Sequence, residues 1–217
     1  MPLRVGLKYI EIWKESMEDE VREYEKEPVK KGQIVFYGPS YFTRWSKKWG
    51  MRPLCDDVLG KSGEQCCINR GFGSSCSEHQ LYYYPRMIRP LEPSVLVYKS
   101  YANADAFGYT AEETWELAQR VIAYTLTDFP DCKIYLCSGT RTRGMSDEGI
   151  ERARLYNGWV KEFAERTPNC FYIDCFDYEP LIRDDIYIED GVHFNQSGYD
   201  IFADLFRIEL KDELDKY

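Results

Sequence analysis

Ile10, Trp13, Met17, Val21 and Tyr24 recur at steps of three and four, and charged residues fill the positions between them. That period predicts one amphipathic helix over residues 8–27. PVKKG then interrupts the pattern, and short continuously apolar runs begin to alternate with long amphipathic ones. The short runs read as strands: IVFYG (34–38), QCCIN (65–69), SVLVY (94–98), KIYLC (133–137) and CFYID (170–174). The long ones read as helices over residues 75–87, 111–126, 146–167 and 196–214, the second opening on a Thr110/Glu113 capping box. Strands that are apolar at every position are buried on both faces, which predicts an α/β protein with a five-stranded parallel sheet covered by helices. No repeat or low-complexity linker interrupts the alternation. One domain over residues 1–217 is therefore expected, with the 8–27 helix packed on it.

Composition narrows the classes of partner. The chain has 217 residues, 44% of them hydrophobic, and a formal net charge of −9. An acidic surface disfavours an extended nucleic-acid footprint. No apolar stretch approaches the roughly 20 residues of a membrane span, so no stable membrane insertion is expected. The opening MPLRVGLKYIEIWKE becomes charged too early for a signal peptide, and a cytoplasmic location is the expectation. Nothing in the composition opposes a homo-oligomer.

Eight cysteines raise the question of metal or disulfides. Cys132 and Cys137 bracket one predicted strand, and Cys170 and Cys175 another. Residues five apart on a strand point to opposite faces, so neither pair converges on one ion. Reduced cysteines used as small apolar residues, with no metal site, are the expectation.

In parallel sheets, ligands bind at the carboxyl ends of the strands, so the loops GPSYFTRW, NRGFGSSCS, KSYANADAFG and SGTRTRGM and the later DGVH are where chemistry is sought. Ser40 follows the first strand, but a serine hydroxyl is a poor nucleophile until a base takes its proton. The chain has two histidines, His79 and His193. His193 stands three residues after Asp190, a spacing that in a tight turn brings the carboxylate to Nδ1–H and fixes the tautomer. His79 lies inside a predicted helix beside Glu78, where consecutive residues face different ways, and reads as a surface or packing residue. The Ser40 N–H, an N–H of the NRGFGSS turn and the Asn103 side-chain amide are candidate donors to a tetrahedral oxyanion. Arg141 and Arg143 lie where an anionic or sugar-bearing substrate would meet them.

With these residues in place, the chain resembles the SGNH hydrolases, also called GDSL-type esterases or lipases. VFYGPS matches the family's nucleophile block, CINRGFGSS the block written close to NRGFGGS, VYKSYANADAFG the third, and EDGVHFNQSGYDIFADLF the final DxxH block with its helix. The VREYEKE segment is similar to the lead-in helix of a lysophospholipase-like branch. The resemblance implies a flavodoxin-like three-layer α/β/α sandwich and ester hydrolysis through an acyl-enzyme, without cofactor. Ser40 would be the nucleophile, His193 the base and Asp190 its orienter. The oxyanion hole would combine Ser40, Asn103 and a second-block N–H. The family's glycine at that last position is Ser74 here, so Ser74 serves only if that residue need not adopt φ > 0, with Gly73 as fallback. The third block also departs from the family's YAGxND: Ser100 replaces its glycine and Ala104 stands at its aspartate. Arg70, Tyr101 and Arg141 are candidate substrate contacts.

Three functions follow from these features. The first is a serine esterase acting on small or medium acyl esters, such as acetylated sugars or lysophospholipids. The second is a catalytically weak or inactive binding protein on the same fold, which the altered third block favours. The third is a cysteine-based redox or metal protein, supported only by Cys66, Cys67 and Cys76.

Overall fold

Each apolar run alternates its side chains between two cores. Ile34 and Phe36 of the first strand enter one, with Val95 and Val97 of the third. Val35 and Tyr37 enter the other, with Leu96 and Tyr98. The computed structural model of the protein describes residues 14–103 and 107–217. Its strands are β1 (Ile34–Gly38), β2 (Cys67–Gly71), β3 (Val95–Lys99), β4 (Lys133–Cys137) and β5 (Cys170–Ile173). All pair in parallel, in the order β2-β1-β3-β4-β5. This is the expected five-stranded α/β sheet, and its order reverses between β1 and β3, where such folds open a crevice for ligands.

The helices are α1 (Lys14–Glu25), α2 (Ser40–Thr43), α3 (Leu54–Asp57), α4 (Ser77–Met87), α5 (Ala111–Asp128), α6 (Asp147–Arg166), α7 (Gln196–Glu209) and α8 (Lys211–Leu214). Met17 and Val21 of α1, Tyr83 and Tyr84 of α4, Val121 of α5 and Val160 of α6 pack in the Val35–Tyr37 core. Phe42 of α2, Leu54 of α3 and Tyr199, Phe202 and Phe206 of α7 fill the opposite one. The result is the three-layer sandwich. Cys132 and Cys170 lie in one core and Cys137 and Cys175 in the other, as their five-residue spacing requires.

Several boundaries differ from the sequence pattern by one or two residues, and three of the differences have a visible cause. β2 begins two residues later than the run QCCIN, because Gln65 bridges antiparallel to Leu59 while Cys67 takes the place opposite Ile34. β3 extends to Lys99, a charged residue that no apolar-run criterion would include, yet it is fully buried. The last helix is broken at Leu210 (φ −99°, ψ 11°), whose side chain stays in the core and from which α8 restarts. Residues 8–13 of the expected N-terminal helix, and Ala104 of the third block, lie outside the described residues.

Two glycines set how closely the site-bearing segments approach. A Cβ on Gly71 would stand 2.4 Å from the Thr43 nitrogen and 2.5 Å from the Phe42 Cβ, and one on Gly38 would stand 2.9 Å from the Lys99 carbonyl oxygen. The ends of β1, β2 and β3 therefore meet at backbone-to-backbone distance around α2, where Ser40 sits.

Candidate active site

α2 is a single turn that begins directly after β1 and Pro39, with Ser40 as its first residue. Its position is set from α7 and from β2. The Tyr199 hydroxyl of α7 donates to the Tyr41 carbonyl at 3.0 Å, the Asn69 amide of β2 donates to the Phe42 carbonyl at 2.7 Å, and Trp45 stacks on Tyr199 and Phe202.

His193 reaches the same point from the far end of the chain. Its Nε2 lies 2.8 Å from Ser40 Oγ and its Nδ1 2.7 Å from Asp190 Oδ2. With Nδ1 protonated towards the carboxylate, Nε2 accepts from the hydroxyl, the arrangement in which an imidazole can take the serine proton. The turn that makes this possible is built by Asp190 itself, whose Oδ1 accepts from the backbone N–H of Val192 and of His193, each at 2.9 Å. Gly191 takes a left-handed φ of 67°, and its carbonyl accepts from Arg143 N–H at 2.7 Å. Beyond the turn, the Asn195 side chain accepts from the Gly198 N–H at 3.0 Å and caps α7.

The charges follow from this packing. Burial raises the Asp190 carboxyl, but the hydrogen bonds from the His193 backbone and ring and from the Val192 N–H outweigh it and lower the pKa to about 2. Burial lowers His193 below the ordinary imidazole value. The Asp190 hydrogen bond works against that shift, and the Arg44 cation adds to it. Arg44 Nη1 sits 3.3 Å from Asp190 Oδ2. The pair thus favours a neutral imidazole beside an ionised carboxylate.

Of the candidate donors, Ser74 has φ 57°, contrary to the expectation that it avoid positive φ, in the left-handed region that favours glycine. Among the described residues neither its N–H nor that of Ser40 has an acceptor. Gly73 N–H is occupied: it donates to Glu20 Oε2 of α1 at 2.8 Å. Asn103, also left-handed (φ 56°), donates one amide hydrogen to the Ser75 carbonyl at 2.9 Å, which ties the third loop to the second.

The remaining candidates are held by other partners. Arg70 is buried and donates to Glu27 at 2.7 Å, with its guanidinium over the Tyr24 ring, so it anchors α1. Arg141 donates to the Phe176 carbonyl and to Asp177. Tyr101 packs its ring 4.4 Å from that of Tyr156. His79 is fully buried, with Nδ1 3.2 Å from Cys76 Sγ and its ring against Phe107, which is the packing role.

Sequence reasoning missed Arg44, Asn69 and Lys99. Arg44 stands one helical turn after Ser40, a spacing that places it near any partner of Ser40. Asn69 was legible only as part of a block. Lys99 Nζ donates to the Ser138 carbonyl at 2.6 Å and lies 5.3 Å from the Tyr41 ring centroid, next to the residue that follows Ser40. Burial lowers its pKa.

No protein-family model matches the chain, and no curated protein sequence does. Solved structures do. A GDSL-like lipase from Bacteroides thetaiotaomicron superposes with a TM-score of 0.68 at 18% identity, covering 93% of this chain and 98% of that one. A lipase/acylhydrolase from Enterococcus faecalis gives 0.66 at 20% identity, covering 84% and 96%. A variant of an acetyl-xylooligosaccharide esterase from Geobacillus stearmophilus gives 0.64 at 15%, covering 85% and 96%. At these identities the likeness is one of fold.

Proposed function

We propose that this chain is a serine hydrolase of carboxylic esters, working through Ser40, His193 and Asp190. The observation that carries the reading is the continuous run of hydrogen bonds from Ser40 Oγ through His193 to Asp190, assembled from segments 153 residues apart. The solved structures of similar fold, named as lipases, acylhydrolases and an acetyl-xylooligosaccharide esterase, support it.

In this reading His193 Nε2 takes the Ser40 proton as Oγ attacks the ester carbonyl. The N–H groups of Ser40 and Ser74, with the Asn103 amide, stabilise the tetrahedral oxyanion. The imidazolium gives its proton to the departing alcohol, leaving an acyl-Ser40. Water, deprotonated by the same imidazole, then releases the acid and restores the hydroxyl. Asp190 keeps Nδ1 protonated and compensates the imidazolium in both halves. The chemistry calls for neither metal nor organic cofactor, and we assign it to one catalytic unit over the whole chain, acting on an ester in the cytoplasm. Among the described residues no helix is long and apolar enough to cross a membrane.

Labelling with a fluorophosphonate tests the reading. A single phosphonyl adduct on Ser40, absent in His193→Ala, is the expected result. No adduct on the folded chain would replace the esterase by a binding protein on the same fold.

A further inference from the structure

A groove of about 910 Å³ runs along the outer edge of the sheet and opens at the proposed oxyanion loop. Its floor is β2, the first strand in the sheet order and therefore an edge. The consecutive residues Cys67, Ile68, Asn69 and Arg70 all line it. Neighbours on a strand face opposite ways, so what the groove meets is the strand's edge and not one of its faces. α1 forms one wall and runs antiparallel to β2: Glu27 holds Arg70, the Tyr24 hydroxyl donates to the Gly71 carbonyl at 2.6 Å, and Glu20 accepts from Gly73 N–H. Trp49, Pro53 and Cys55 form the opposite wall.

The groove meets the proposed catalytic loops at Gly73, Ser74 and Thr43, the last standing three residues after Ser40. Its volume lies at the upper end for small-ligand sites. Tyr24, Trp49, Cys55, Cys67 and Ile68 give it an apolar interior, whereas Asp19 and Glu23 of α1 and the lysines Lys30 and Lys48 put charges of both signs on its lining. An extended apolar chain matches the interior.

We infer that this groove takes the acyl chain of the ester, and that the preferred substrates are esters of acids with eight or more carbons. The inference rests on the esterase reading of Ser40 and deepens it. Each methylene that leaves water contributes up to roughly a fourfold gain in kcat/KM.

The test compares p-nitrophenyl acetate, butyrate, octanoate and laurate in the wild-type chain and in Cys55→Trp, which places an indole across the groove. The wild-type kcat/KM is expected to rise from butyrate to laurate, and the laurate-to-acetate ratio to fall at least tenfold in Cys55→Trp. Gln65→Trp, at an exposed position on the groove's lining, is the second variant should the first fail to fold. A ratio that neither substitution moves, or a wild-type profile that declines beyond butyrate, overturns the assignment. Dodecyl acetate separates the two ends of an ester: if blocking the groove impairs it and leaves laurate hydrolysis unchanged, the groove holds the alcohol and the proposal fails. Binding of glycerol monolaurate to Ser40→Ala, followed by calorimetry, keeps the groove testable apart from catalysis. Binding at least tenfold weaker in Ser40→Ala/Cys55→Trp supports the groove even where no ester is turned over, and equal binding contradicts it.

Discussion

Asp190 holds two backbone N–H groups with one oxygen and the His193 ring with the other, so a change at this residue alters both the turn and the tautomer. Asp190→Asn is expected to lower kcat by about 10³- to 10⁴-fold while the chain stays folded, as read by circular dichroism. Arg44 makes the more discriminating test. Its cation opposes protonation of His193, and the reaction needs the imidazole neutral. In the wild type, kcat/KM should fall on acidification only below the ordinary imidazole pKa of 6.5. Arg44→Ala should move that fall to higher pH. A profile that stays in place would show that Arg44 does not act on the imidazole. Ser74→Gly should keep its activity, because the donor is a backbone N–H, and should gain about 1 kcal/mol of stability by relieving a left-handed serine. Loss of activity in that variant would mean that the hydroxyl itself takes part.

The same two groups give the site a dependence of stability on pH. Asp190 is depressed from 3.8 to about 2, and His193 is depressed from 6.5. A depressed group stabilises the fold above its unfolded pKa and loses that contribution as pH falls through the folded one. Acid therefore weakens the site twice, first through the imidazole and then, between about pH 4 and 2, through the carboxyl. At this scale the sequence was informative wherever chemistry restricts the choice. With two histidines in the chain, His193 and its DxxH spacing were legible. Arg44, Asn69 and Lys99 were not, because their roles depend on residues more than twenty positions away in the chain.

At the scale of elements, the turn that carries Ser40 depends on what packs behind it. α7 supplies Tyr199, Phe202 and Phe206, each fully buried, and the Phe202 and Phe206 ring centroids are 4.6 Å apart. Phe202→Ala should cost about 3–5 kcal/mol, read as a lower midpoint in urea. Gly71→Ala tests the opposite side of α2. A Cβ there meets backbone that has no flexible side chain to move, so α2 must shift, at a cost of about 1–3 kcal/mol and with a marked loss of Ser40 reactivity. Wild-type stability and labelling rate in Gly71→Ala would contradict the close approach described for β2 and α2. The five strands and the long helices were legible from their periods, since apolar runs and three-four spacing are local, whereas α2 and α3, one turn each, are too short to show a period. The late start of β2, the buried Lys99 at the end of β3 and the break at Leu210 were set by partners across the sheet and core, which no local period records.

For the molecule as a whole, the strand order brings the ends of β1, β2 and β3 side by side, so Ser40, Ser74 and Asn103 come from three neighbouring loops while His193 returns from the last one. The blocks were legible in order along the chain, but their junction needed the sheet. The groove beside β2 needed more still, since α1 has to pack antiparallel to an edge strand before any cavity exists. All eight cysteines are free thiols, seven of them buried, and the thermal midpoint should be the same with and without dithiothreitol. The measurement that tests the central claim most directly is hydrolysis of p-nitrophenyl acetate by the wild-type chain and by Ser40→Ala. Turnover that falls at least about 10³-fold in the variant is the predicted result. Equal rates in the two proteins would contradict it.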